Sequence, residues 1–275
     1  MIPNLPARSD EVISMILEFC KAEVDGRLLI VTMNRPEVFN SLHWPAHREL
    51  EILFDDYRRN PNLHVAIITG AGDKAFSAGN DLKYDGPERT WGLPERGFAG
   101  LSRRVDIDKP IIAAVNGLAV GGGFELALAC DVVIAAENAT FSLPEPRVGL
   151  AALAGGLQHL PRQIGLKRAL GLILTCRRIT AQQGYEFGFV NEVTPRGEAL
   201  AVARQWATEM LEASPLALRA SKQAVRAGLR ETDLERAFMV ERALPSVQSL
   251  LKSSDREEGR RAFVEKRAPN WTPLD

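Results

Sequence analysis

The sequence predicts an α/β fold on three observations. Short apolar runs bounded by turn residues alternate with helix-period stretches between about residues 20 and 200. One unit, residues 111–130 (IIAAVNGLAVGGGFELALAC), reads as a buried strand, a turn, a Gly-rich entry and a buried helix. From Ala199 onward the pattern is helical, broken at Pro215, Pro245 and Pro269.

Each element has its own warrant. Residues 1–20 read as a short leader with some helical character, 21–200 as the strand–helix core and 201–275 as a helical region. LLIVTM (28–33) is a strand run closed by Asn34-Arg35-Pro36. Pro45 fits the first turn of a helix whose apolar spacing runs over 46–57 and stops at Asn60-Pro61. HVAIIT (64–69) is a second buried strand, and 70–81 a Gly-rich loop. Residues 83–104 are polar with Gly and Pro, as in a mobile loop passing into a helix. After the 111–130 unit, strands are expected at 132–135 and 139–143. A Gly- and Ala-rich turn (145–156) then leads into helix, followed by helix at 166–174, a turn region at 181–187 and a strand at 190–193.

The 111–130 stretch is about long enough to span a bilayer. Asn116-Gly117, the triple Gly121-Gly122-Gly123 and a lone Glu125 argue for a buried unit of a soluble fold instead. A net charge of −1 gives no electrostatic reason to expect nucleic acid or a membrane surface as partner. The three cysteines share no metal spacing and read as buried thiols of a reducing compartment. The N-terminal segment lacks a secretory pattern, so the cytoplasm is the expected location.

Three motifs carry candidate chemistry. AFSAGNDL (75–82) follows a buried strand and places Gly79 and Asn80 where backbone N–H groups can point outward; an ordinary surface loop is the plain alternative. GGGFE (121–125) puts three glycines and the positive end of a helix dipole beside one carboxylate, Glu125. Such a donor cluster suits a polarised carbonyl, against the alternative of close helix packing with Glu125 in solvent. FSLPEPRVG (141–149) fixes Glu145 between two prolines, as a rigid turn would, and Glu125 with Glu145 would form an acid/base pair if the fold joins them. GxGxxG, P-loop and GxSxG spacings are absent, which removes support for nucleotide and serine-hydrolase readings. His43 and His47 stand four apart at a helix start, but no third ligand accompanies them and they read as helix-surface histidines.

With these motifs in order, the chain resembles the crotonase family, the enoyl-CoA hydratase/isomerase superfamily. The resemblance runs through NRPEVFNSL, AFSAGNDL, KPIIAAVNGLAVGGGFELALACD, FSLPEPRVGL with Gly155-Gly156, LILTCRRITAQQGYEFGFVNEV and SPLALRASKQAV. It implies a spiral of repeated ββα units, with a C-terminal helical region that assembles trimers or dimers of trimers. It implies an acyl-CoA thioester as substrate, with no cofactor beyond that substrate's own coenzyme A and no metal. By resemblance the backbone amides of Asn80 and Gly122 form an oxyanion hole, and Glu125 and Glu145 occupy the two glutamate positions of the hydratase branch. The CoA and acyl path would then include Ala78, Asn80, Asp81, Leu82, Lys83, Gly122, Leu143 and Leu153. Leu143 stands where many relatives have a polar residue and Leu153 where they have glycine, so both bear on the acyl pocket. The alternatives are an enoyl-CoA isomerase, a thioester hydrolase or dehalogenase on the same scaffold, and a CoA- or RNA-binding protein without catalysis.

Overall fold

Two sheets, both largely parallel, form the frame of the computed structural model, which describes residues 17–86 and 94–274. Most of the expected leader and part of the 83–104 loop therefore lie outside the described residues. In the larger sheet, β2 (Leu28–Met33), β3 (Val65–Gly70), β5 (Ile111–Val115), β7 (Val132–Ala136) and β10 (Glu192–Thr194) run parallel in that spatial order. Its edge is β1 (Cys20–Asp25), antiparallel to β2. The smaller sheet holds β4 (Ala75–Ser77), β6 (Leu118–Val120), β8 (Thr140–Ser142) and β9 (Ile179–Thr180), with β9 antiparallel to β8.

The chain lays one strand in each sheet per turn: β3 then β4, β5 then β6, β7 then β8. Successive turns stack, so the first strands of the pairs adjoin in one sheet and the second strands in the other. A helix closes several of these turns: α1 (Trp44–Arg59) after β2, α2 (Gly122–Ala129) after β6 and α3 (Gly156–Ile164) after β8. This is the ββα spiral of the crotonase fold.

Both faces of the larger sheet are covered, which explains its nearly continuous apolar strands. Leu29, Val31, Ala66, Ile68 and Ala113 face the main core with α1 and α2. Their neighbours Leu28, Ile30, Ile67 and Ile112 face Ala199, Ala203 and Ala207 of α6 (Ala199–Glu212). Each fully buried Ile, Leu or Val there contributes roughly 1.5–3 kcal/mol relative to exposure. The first helix of the expected tail is thus joined to the sheet. Phe124, Phe141 and Phe189 form a ring cluster with centroids 5.1–5.2 Å apart and bind α2 to β8. That contact fixes the residues next to Phe124 and just beyond Phe141.

Beyond α4 (Leu166–Thr175) and α5 (Ala181–Phe187), the C-terminal helices are α7 (Pro215–Gly228), α8 (Leu234–Ala243), α9 (Pro245–Lys252) and α10 (Asp255–Glu265). Pro215 and Pro245 begin their helices, where a missing N–H costs nothing. Lys222 and Arg226 of α7 hold Asp131, at the foot of β7, at 2.5 and 3.0 Å. No helix among the described residues is long and apolar enough to cross a membrane.

Several elements differ from expectation. The very short β4, β6 and β9 carry too few residues to show a period and exist through their neighbours. The 181–187 turn region is helical, with a capping box between Thr180 and Gln183. His43 and His47, expected on a helix surface, are both buried. His43 caps α1 by accepting the Ala46 N–H at 3.2 Å, and among the described residues no group of three or more His, Cys, Asp or Glu could hold a metal ion.

The spiral brings β4 against α2 with no side chain between them. A Cβ placed on Gly123 would lie 2.2 Å from the carbonyl oxygen of Ser77. Gly123→Ala is therefore expected to destabilise the protein by about 1–3 kcal/mol, as overpacking does. The chemical-denaturation midpoint measures it, and a midpoint equal to that of the wild type would mean that β4 and α2 do not touch.

Candidate active site

The site begins with one loop pinned to another. After β4, Ala78 donates its N–H to Phe39 O at 2.9 Å, Gly79 to Ser77 Oγ at 3.2 Å and Asp81 to Leu42 O at 2.9 Å. The Gly79 carbonyl accepts the Leu42 N–H at 2.9 Å. The side chain of Asn40 anchors this partner segment through Ala71 O and Ala75 O, at 3.0 and 2.8 Å. Within this fastened loop the Asn80 N–H donates to no acceptor among the described residues. Gly79 adopts φ +90°, and a Cβ there would lie 2.8 Å from Val120 O and 3.2 Å from the Gly122 nitrogen. Glycine thus lets the loop reach the mouth of α2.

At that mouth Gly121 turns with φ +57° and donates its N–H to Ser142 O at 2.9 Å. The next amide, Gly122, opens the helix and donates to no acceptor among the described residues. Two backbone donors on adjoining segments thus stand unpaired at the wall of one cavity of about 450 Å³, lined by both residues. Two backbone donors left open toward one cavity can be answered by an acceptor from outside the chain.

Both glutamates line the same cavity. Glu125, one turn into α2, is 3% exposed and accepts the Gly156 N–H at 2.8 Å. Burial pushes its carboxyl up to about 7, against the amides of Gly156, Ala154 and Gly155, and the charge of Glu145 adds to the rise. Glu145 opens the short 3-10 turn Glu145–Val148, and Gly149 closes it in a left-handed conformation. It is half-buried, and burial raises its carboxyl above the ordinary value. Its Oε2 is buried without a hydrogen-bond partner among the described residues. Two protonatable oxygen pairs therefore face one apolar space, next to two open amides.

Of the other expected residues, Ala78, Leu82 and Leu153 line the cavity. Leu153, at 66% exposure, narrows the space that glycine would leave. Leu143 does not reach it: the side chain is 2% exposed and packs in the main core. The alternation along the strand explains this, since β8 turns Phe141 inward and the chain continues to Leu143 on the same side. Asp81 likewise belongs to the scaffold, its carboxylate held by Arg35 at 2.9 Å and by the Lys83 N–H at 3.1 Å. Lys83 is exposed and outside the cavity wall.

Sequence reasoning passed over Phe98 and Arg147 here, and placed His47 on a helix surface. Phe98 lines the cavity from a stretch without period and lies against Gly122, whose added Cβ would be 2.3 Å from Phe98 Cδ2. Arg147 lines it too, only two positions beyond Glu145. His47 lies behind the wall, 2% exposed, with its ring nitrogens directed to Asn80 and Ala99. The helical spacing of His43 and His47 was visible, but only packing shows which way each ring turns.

The comparisons agree with this geometry. Residues 23–273 match the family model described as enoyl-CoA hydratase/isomerase. The carnitinyl-CoA dehydratase of Salmonella typhi is 41% identical over 253 residues, covering 90% of this chain and 95% of that protein. The crystal structure of enoyl-CoA hydratase from Mycobacterium tuberculosis superposes with a TM-score of 0.86 at 35% identity, over 92% of this chain and 98% of that one. The enoyl-CoA hydratase of Bacillus anthracis gives 0.82 at 36% identity, over 92% and 99%. Fold, motif order and these matches place the chain in one family: it belongs to the enoyl-CoA hydratase/isomerase, or crotonase, family.

Proposed function

We propose that the protein is an enoyl-CoA hydratase, which adds water reversibly across the 2,3-double bond of an acyl-CoA thioester. The observation that carries this reading is the convergence of two raised carboxyls and two unpaired amides on one cavity. The thioester oxygen would lie between the amides of Asn80 and Gly122. As water adds at Cβ, negative charge grows on that oxygen, and each preorganised donor is worth about 3–4 kcal/mol there. Glu125 and Glu145 would hold the water between them, one taking its proton and one supplying a proton to Cα. Burial suits this work, because a carboxyl raised to about 7, as at Glu125, can both hold and release a proton near neutral pH. Ala78 and Leu82 would flank the thioester arm, with exposed Lys83 beyond them toward the nucleotide end of CoA.

The relatives named for carnitinyl-CoA dehydration support the same chemistry run in reverse, on an acyl group that carries a quaternary ammonium. The charged residues lining this cavity are Glu125, Glu145 and Arg147. Loss of the conjugated-thioester absorbance over a panel of 2-enoyl-CoAs, one ending in trimethylammonium, ranks the substrates. A 3-enoyl-CoA in the same panel separates hydration from double-bond isomerisation.

The exposed apolar residues of the C-terminal helices support a homo-oligomer. Leu234, Phe238, Met239, Phe263 and Val264 are between 61% and 86% exposed. A trimer or dimer of trimers would cover them. Light scattering on the eluted protein is expected to give three or six times the monomer mass, and Phe263→Glu to lower it; a monomeric wild type would refute the assembly.

Glu125→Gln and Glu145→Gln are each expected to fold, to bind acyl-CoA and to lose hydration by about 10²–10⁴-fold. Steady-state rates check this, and undiminished turnover in either variant removes that residue from the mechanism.

Stability has its own pH dependence. Glu125 has a folded-state pKa of about 7, above its ordinary 4.5, so the folded chain holds this proton more tightly than the unfolded one. The stability tied to that proton is fully present below pH 4.5 and is lost as pH rises through 7. Glu125→Gln carries no such titration. Between pH 4.5 and 8 it should gain on the wild type by roughly 3 kcal/mol, at 1.4 kcal/mol per pH unit between the two pKa values. Parallel denaturation curves for the two proteins would show a constant gap if the carboxyl titrates normally.

A further inference from the structure

We propose that His47 is a positioning residue that ties together the two amides of the thioester-oxygen site. The inference rests on the reading that Asn80 and Gly122 bind that oxygen.

The hydrogen bonds fix how His47 is used. The Ala99 N–H donates to His47 Nδ1 at 3.0 Å, so this nitrogen bears no proton. In a neutral imidazole the proton then sits on Nε2. Nε2 lies 3.3 Å from Asn80 Oδ1, so the ring donates and the side-chain carbonyl of Asn80 accepts. Both partners are thereby determined by one backbone N–H. The ring is 2% exposed, and burial lowers its pKa to about 4, in keeping with the neutral form.

The same ring reaches the second amide by packing. Phe98 meets His47 edge-on, with centroids 4.8 Å apart and planes at 81°. Phe98 in turn stands against Gly122, close enough that a Cβ there would overlap its ring. Ala99, which supplies the N–H to Nδ1, is held in a left-handed conformation at φ 56°, an arrangement that alanine rarely adopts without outside support. One buried side chain therefore holds Asn80 by a hydrogen bond and the residue packed on Gly122 by ring contact. Asn80 itself is exposed, and among the described residues the His47 contact is the hydrogen bond that orients its side chain.

The test uses the full-length protein and [1-13C]butyryl-CoA, a saturated thioester that binds without reacting. Difference infrared spectroscopy reads the carbonyl stretch, which falls as hydrogen bonds polarise the C=O. The wild type is expected to lower the stretch relative to free butyryl-CoA. His47→Leu and Asn80→Ala should each restore part of it, although Asn80→Ala keeps the backbone amide and empties no buried site. With a reactive 2-enoyl-CoA, kcat should fall roughly tenfold in each, less than the 10²–10³ of losing an oxyanion donor outright, with KM changed less. The double variant should be no slower than the slower single one. Wild-type stretch and kcat in Asn80→Ala, or multiplied losses in the double variant, overturn the role of His47. No lowering of the stretch in the wild type overturns the amide reading itself, which separates the two failures.

Discussion

The arrangement depends on a backbone-to-backbone approach that only glycine permits. The loop after β4 lies on the mouth of α2 with nothing larger than hydrogen between them. At Gly79 and Gly123 an added Cβ would fall 2.8 and 2.2 Å from a backbone carbonyl oxygen. This closeness has an electrostatic consequence. The N-cap, Gly121, offers no side chain to cap the helix start, and the Asn80 and Gly122 amides stay open. They keep their places because the surrounding loop is fastened at every other amide, from Ala78 through Asp81, and because the ring cluster of Phe124, Phe141 and Phe189 fixes α2 from the other side.

The carboxyls obey the opposite logic. Each is placed where charge is unwelcome, yet neither is isolated. Glu125 has the amide of Gly156 beneath it, supplied by the start of α3, and with the amides of Ala154 and Gly155 it favours the ionised form against burial. Glu145 has a buried oxygen with no partner, so its demand for a hydrogen bond is met by whatever enters the cavity. A water between the two would satisfy Glu145 and be polarised by Glu125. The spiral brings this about by stacking two consecutive ββα turns: α2 ends the turn of β5 and β6, and Glu145 ends the strand pair of β7 and β8.

Much of this was legible in the sequence, for identifiable reasons. Strands buried on both faces, such as β2, β3, β5 and β7, write themselves as apolar runs, and α1 and α2 follow helical spacing or a Gly-rich entry. The glutamates and the two amides were singled out by their motifs, and the fold brings all four to one cavity. Residues whose part is decided by packing were not legible. Phe98 sits in a stretch without period, and the inward turn of His47 follows from where α1 meets the 97–102 segment. Leu143 shows the converse error. Its place beside Pro144 and Glu145 suggested the pocket, but strand alternation sends it into the core. Proximity in sequence to a reacting group does not give direction.

The apolar wall links substrate choice to proton chemistry. The side chains that would receive an acyl chain, among them Leu82, Phe98 and Leu153, line the same cavity as Glu125 and Glu145. An acyl chain that fills this space deepens the desolvation and pushes both carboxyls further up. Leu153 in place of glycine reduces the volume to be filled, so a shorter chain suffices to dry the site. An acyl group that fits would thus act on proton transfer as well as on binding, so that discrimination between substrates would appear in turnover as well as in affinity.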